Sequence, residues 1–201
     1  MNYWGAVSGR IVWMVVICEG GLLGLGLGLG WWVEQPPFAR MHLEWQAIVL
    51  GIVGTWPPLL GMWWCTRSSW GPFRRLQHEV WDKIVPVFAE CSFLELTLVA
   101  VAAGVAEEAL FRGVIQIALA DWLGPFGGLL LASALFGLCH LLTPTYAAIA
   151  ALLGLYLGGL LIVSDNLLPA ILVHAGYDLG ALLYLIRIYH LRPPDNCQME
   201  T

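Results

Sequence analysis

Charge is what this sequence has least of. Asp, Glu, Lys and Arg make up 11% of its 201 residues, where a soluble domain carries about a quarter. An ordinary cytosolic domain and a disordered chain are both disfavoured. Nine basic residues against 14 acidic ones give a net charge of −5, with no basic patch for nucleic acid. The cysteines lack useful spacing. Cys18, Cys65, Cys91, Cys139 and Cys197 are odd in number and contain no Cys-x-x-Cys pair, so neither a disulfide framework nor a zinc knuckle is expected. Internal repeats, low-complexity linkers and signs of a second domain are also missing. No short signal core with a small-x-small cleavage site precedes polar sequence. The apolar run after Arg10 extends from Ile11 to Val33 and is expected to be a retained membrane helix.

Apolar residues fill the space left by charge, at 59% of the chain. A bilayer crossing takes roughly 20 of them per helix. The expected fold is therefore all-α: a polytopic membrane helix bundle of about six transmembrane helices, with residues 1–201 forming one integral membrane domain. The first helix spans Ile11–Trp32. Its Gly20, Gly24 and Gly28 share a stripe, as do Gly26 and Gly30, and small residues four apart allow close helix approach. Glu19 lies in this run, with a packing role and a functional one equally open. A second helix runs from Glu44 to Trp64, with Pro57 and Pro58 set to break or kink it. Trp31, Trp32, Trp45, Trp63 and Trp64 form an interfacial aromatic belt.

The stretch Thr66–Pro86 is the most polar inside the chain. Part of it, near 70–85, reads as an amphipathic interfacial helix. Four of the nine basic residues, Arg67, Arg74, Arg75 and Lys83, lie here, which places this loop in the cytoplasm together with Arg10. The next run, Val87–Trp122, is too long for one straight crossing. It must tilt, break near Gly104 or leave the membrane. Three helices follow, at Pro125–Leu142, Thr145–Val163 and Leu168–Tyr189, before a polar tail with Arg192, Pro193 and Pro194.

Ionisable groups inside apolar runs are costly and mark functional candidates. They form three clusters. In the first, Glu108 and Arg112 are four apart with the acid first, the better order for a helical ion pair. Glu107 points about 100° away. The plain alternative is a buried ion pair with one spare acid. The second cluster is Phe136-Gly-Leu-Cys-His140. The third is His174-Ala-Gly-Tyr-Asp178, whose His and Asp share a helix face. Taken singly, His140 is more readily a satisfied core histidine than a catalyst, and the His174–Asp178 pair is a weak signal.

Together, Glu-Glu-x-x-x-Arg, Phe-x-x-x-His and His-x-x-x-Asp, in that order on three apolar segments, resemble the CPBP family. It comprises the CAAX proteases and bacteriocin-processing (ABI) enzymes. The resemblance covers about residues 87–190, and the family's last position is Asn or Asp, here Asp178. It implies a metal-independent, glutamate-type intramembrane endopeptidase without a cofactor, and catalytic residues Glu107, Glu108, Arg112, His140, His174 and Asp178. Glu107 is then the general base, and His140 helps bind and polarise the water. His174 and Asp178 sit at the oxyanion, and Glu108 with Arg112 holds the first helix. The implied partners are the bilayer and a membrane peptide or protein, prenylated or bacteriocin-like, and the expected location is a bacterial plasma membrane. Ionised Asp178 cannot donate a hydrogen bond, so either it carries a proton or it only orients His174. The alternatives are zinc held by Glu107, His140 and His174, a non-catalytic immunity or scaffold protein on the same fold, and a proton-relay transporter. His-Glu-x-x-His and Gly-x-Ser-Gly, the marks of other intramembrane proteases, are missing. Up-and-down threading leaves His140 and His174 about 10 Å apart in depth.

Overall fold

The computed structural model describes residues 3–191, with side chains from residue 9 to 188. The tail expected at Arg192, Pro193 and Pro194, and Cys197, lie outside the described residues. In lipid a backbone must satisfy itself within helices or closed barrels. Among the described residues there are helices and no strands. Five of these stretches are long and apolar enough to cross a membrane. The protein is an integral, multi-pass membrane protein.

Helix α1, Tyr3–Trp32, ends where expected. Its two glycine stripes differ. A Cβ at Gly26 would touch Leu110, and one at Gly30 would meet the Gln35 carbonyl and Val114, so this stripe takes the close contact. Gly20, Gly24 and Gly28 have no described atom within 4 Å of that position, so the expectation of close approach fails on their stripe.

The second crossing comprises α2, Trp45–Gly54, and α3, Trp56–Cys65, joined by Thr55 in helical conformation. Pro57 and Pro58 do not end it. They occupy the first turn of α3, where an amide hydrogen is least missed. Pro58 cannot donate to the carbonyl of Gly54. The Tyr156 hydroxyl donates to it instead, at 2.9 Å. The segment expected at the interface follows as α4, Gly71–Glu79, a π-helical stretch at Val80–Ile84, and the short α5, Val85–Phe88.

The long run differs from expectation at both ends. It begins at α6, Phe93–Glu108, because Ser92 and Glu95 form a capping box there. Hydropathy does not register such a cap. The helix passes through Gly104 without a break. That glycine serves close approach, since a Cβ would stand 2.9 Å from the Ala175 nitrogen on a neighbouring helix. A π-helical stretch, Ala109–Gln116, then leads into α7, Ile117–Cys139. The break comes at Gly124, whose φ of 75° suits glycine, just before Pro125. Beyond it the chain folds back. A Cβ at Gly128 would stand 2.5 Å from the Gln116 carbonyl oxygen and 2.7 Å from the Ala120 nitrogen. The 47-residue span is therefore two antiparallel arms, which brings the apolar arms among the described residues to six. Helices α8, Pro144–Ser164, and α9, Leu168–Leu191, complete it.

The segment between α1 and α2 forms a strap across one end. Arg40 pairs with Asp165 at 2.8 Å, and Asn166 bonds both backbone groups of His42. Leu167 donates its amide to the Arg40 carbonyl, and Gln35 donates to Asp121. Pro37 lies directly on Gly113, where an added Cβ would collide with its carbonyl oxygen. Backbone cannot yield as a side-chain tip can. Gly113→Ala should therefore cost on the order of 3 kcal/mol, the upper end for overpacking. Gly20→Ala, in open surroundings, should stay within about 0.5 kcal/mol. Thermal unfolding of both variants in detergent checks this contrast.

Candidate active site

The α6 helix and its π-helical extension present two adjacent acids to different surroundings. π-Helical turns recur at functional sites. Glu108 and Arg112 are buried completely, at 0% and 1% side-chain exposure, and their oxygen and Nη1 are 2.9 Å apart. The guanidinium lies over the Phe136 ring, 4.2 Å from its centre. Gly154 lets α8 reach the Arg112 Nη2. Glu107 keeps 13% of its side chain exposed and faces His140, with Oε2 3.6 Å from Nε2. That separation is too long for a hydrogen bond.

His140 ends α7 with φ −103° and ψ 29°. Its Nδ1 lies 2.9 Å from the Phe136 carbonyl oxygen. A carbonyl only accepts, so Nδ1 carries the proton. In the neutral ring Nε2 then holds a lone pair, aimed at Glu107. His174 on α9 is oriented by Glu108, whose Oε1 accepts from its Nδ1 at 2.7 Å. Its Nε2 stands 3.5 Å from the Asp178 carboxylate. Asp178, the residue expected to orient His174, is the more distant of the two carboxylates.

The six residues are thus gathered as Asp178–His174–Glu108–Arg112 beside Glu107–His140. The Phe136 ring joins the two sets, 4.5 Å from the His140 ring and 5.9 Å from that of His174. The expected depth gap between the histidines is not observed. Leu157 packs with Ala170 and Val173, which sets His174 well up along α8 rather than near its end. Gly154, one turn below Leu157, touches Ser133, and the His140 ring turns back one helical turn to Phe136.

Two neighbours had no motif to announce them. Tyr146, in the first turn of α8, stands edge-on to His140 with ring centres 6.1 Å apart. Glu19 of α1 lies within electrostatic range of Glu107, His174 and Asp178, and its buried Oε2 has no hydrogen-bond partner among the described residues. Its place in an apolar run made it a candidate, but nothing in its spacing tied it to the other clusters. Among the described residues no group of three or more His, Cys, Asp or Glu is close enough to hold a metal ion. The described cysteines are unpaired.

Compared with known proteins, residues 89–180 match the family model described as type II CAAX prenyl endopeptidase Rce1-like. The matched segment is somewhat less than half of the chain and holds every residue of the gathered set. No curated protein and no solved structure matches. The match is consistent with the CPBP/CAAX protease family and supports a CAAX-type intramembrane protease.

Proposed function

We propose, from a chain whose site-bearing segment matches a CAAX prenyl endopeptidase model, that this protein is a metal-independent endopeptidase of membrane-associated peptides, with Glu107 as general base. The observation that carries the reading is the facing of the Glu107 carboxylate and the His140 Nε2 across 3.6 Å. A water hydrogen-bonded to both has one hydrogen on each acceptor and an oxygen lone pair left to attack. Attack forms the bond from water oxygen to carbonyl carbon, and Glu107 takes the proton. When the carbon–nitrogen bond breaks, the same proton passes to the departing nitrogen.

Glu108 and Arg112 act through others. Glu108 neutralises Arg112 and fixes the ring plane of His174, whose Nδ1 proton is thereby committed. Only Nε2 of His174 is then left to face a substrate, 3.5 Å from the Asp178 carboxylate. The substrate we favour is a lipidated or otherwise membrane-held peptide, prenylated or bacteriocin-like, in a bacterial plasma membrane. Tryptophans exposed along α1–α4, including Trp32, Trp45, Trp63 and Trp70, give the bundle an aromatic belt suited to the bilayer interface.

The test compares peptide termini in membranes from cells with and without the protein. New termini that persist in the presence of a strong zinc chelator are expected. Unchanged termini would leave a scaffold or immunity role, and chelator-sensitive ones would point to zinc. The basic segment 66–83 is proposed to face the cytoplasm. Ser69, exposed just before α4, reports on this as Ser69→Cys in a chain otherwise free of cysteine. Labelling by an impermeant thiol reagent added outside intact cells would refute that topology.

A further inference from the structure

Charge is scarce in this protein, and where it gathers on the surface unpaired it asks for a partner. From Trp45 to His78 the chain carries Arg67, Arg74 and Arg75 and neither Asp nor Glu, although its net charge is −5. All three arginines are exposed, and none forms an ion pair among the described residues. Lys83, further along the same segment, differs, because its ammonium pairs with Glu79.

The three cations are gathered by the way α4 meets the end of α3. Gln77 donates its amide to the carbonyls of Cys65 and Ser68, at 2.7 and 3.0 Å. The Arg67 guanidinium lies over the Trp63 ring, 4.4 Å from its centre. Trp64 on α3 and Trp70 just before α4 both meet the Phe73 ring edge-on, with centres 5.4 and 5.1 Å apart. Leu76 is buried, while Arg74 and Arg75, next to Phe73, stay in the open. The result is an aromatic ledge fringed with guanidinium groups.

A free anion would use the arginines but not the exposed Trp63, Trp64 and Trp70. An amphiphile uses both. Tryptophan favours the headgroup level of a bilayer, where lipid phosphates lie, and a guanidinium fork matches phosphate oxygens two at a time. A choline or ethanolamine headgroup would bring its own cation towards three that have no counter-charge. The complementary headgroup is therefore an anionic one.

We propose that the corner between α3 and α4 is a binding site for an anionic phospholipid, with Arg67, Arg74 and Arg75 holding the headgroup and Trp64, Trp70 and Phe73 meeting the upper part of the acyl chains. The inference is independent of the protease reading.

The test uses the full chain in neutral detergent and measures its affinity for phosphatidylglycerol and for phosphatidylcholine by native mass spectrometry. An arginine at an anionic surface is worth about fivefold. The wild type should therefore prefer phosphatidylglycerol by at least about 20-fold, and the triple variant Arg67→Gln, Arg74→Gln, Arg75→Gln should lose at least about tenfold of that preference. Its affinity for phosphatidylcholine and its unfolding midpoint should match the wild type, since the exposed arginines have no ion-pair partner to strand. Lys83→Gln, whose charge is already paired, should keep the full preference. Sodium chloride should release phosphatidylglycerol from the wild type and spare phosphatidylcholine, an arm that stands even where the triple variant does not fold. Equal affinity of the wild type for the two lipids overturns the proposal, as does a preference that salt leaves intact or that survives in the triple variant. A loss with Lys83→Gln as large as with the triple variant also overturns it, since overall positive charge gives that pattern. Displacement of the lipid by inorganic phosphate at equal concentration would show a site for free anions instead.

Discussion

Glu107→Gln should reduce cleavage by at least about 100-fold, the low end for loss of a general base, without lowering the amount of folded protein. The amide keeps the shape of the carboxyl but cannot take a proton from water. Stability should hold because Glu107 makes no hydrogen bond among the described residues, and its Oε2 stands 3.6 Å from His140. The cleavage rate in membranes and the unfolding midpoint in detergent, measured together, check both halves. A variant that cleaves normally would end the glutamate mechanism.

Glu108→Gln should do the reverse, with its main effect on the fold. Its Oε1 receives both the Arg112 guanidinium at 2.9 Å and the His174 ring at 2.7 Å, with no exposure to solvent. Removing the charge leaves Arg112 buried without a counter-ion. Losing one partner of such a pair costs on the order of 3–5 kcal/mol. Activity should fall as well, because His174 loses the charge that orients it. Arg112→Met in the same chain removes the stranded cation and should restore much of the stability but not the activity. Half-life in the membrane, followed beside cleavage, separates the two. A stable, inert Glu108→Gln variant with a normal Glu107→Gln variant would mean that the acids have exchanged roles.

The contrast between neighbouring acids was legible because it is local. Glu108 and Arg112 sit one helical turn apart, and Glu107 has Leu110 and Phe111 where a partner would be. The link from Glu108 to His174, 66 residues away, was not legible. It depends on how far α9 slides along α6 and α8, which is decided by contacts such as Gly104 against Ala175 and Leu157 against Val173. The helical, membrane-spanning character followed from composition alone. Glycines were harder, because one residue type serves opposite ends. At Gly124 it permits a positive φ and a reversal, at Gly104 it permits contact within a straight helix, and at Gly20 it meets nothing. Only the proline after Gly124 distinguishes the first case in the sequence. Tyr146 carried no signal, because its place beside His140 arises from the cap at Thr143 and the bend at His140, not from its spacing to any acid.

The reversal at Gly124 also sets the parity of the bundle. Were residues 93–139 one span, five crossings would leave the first turn of α1 and the last turn of α9 on opposite faces of the membrane. With the fold-back the described residues make six arms, which would put those two turns on one face. It is also the face of α4, which lies after the second crossing, while the strap occupies the other. Reporter tags fused at either end should thus sense the same compartment, and both should agree with a label at Ser69.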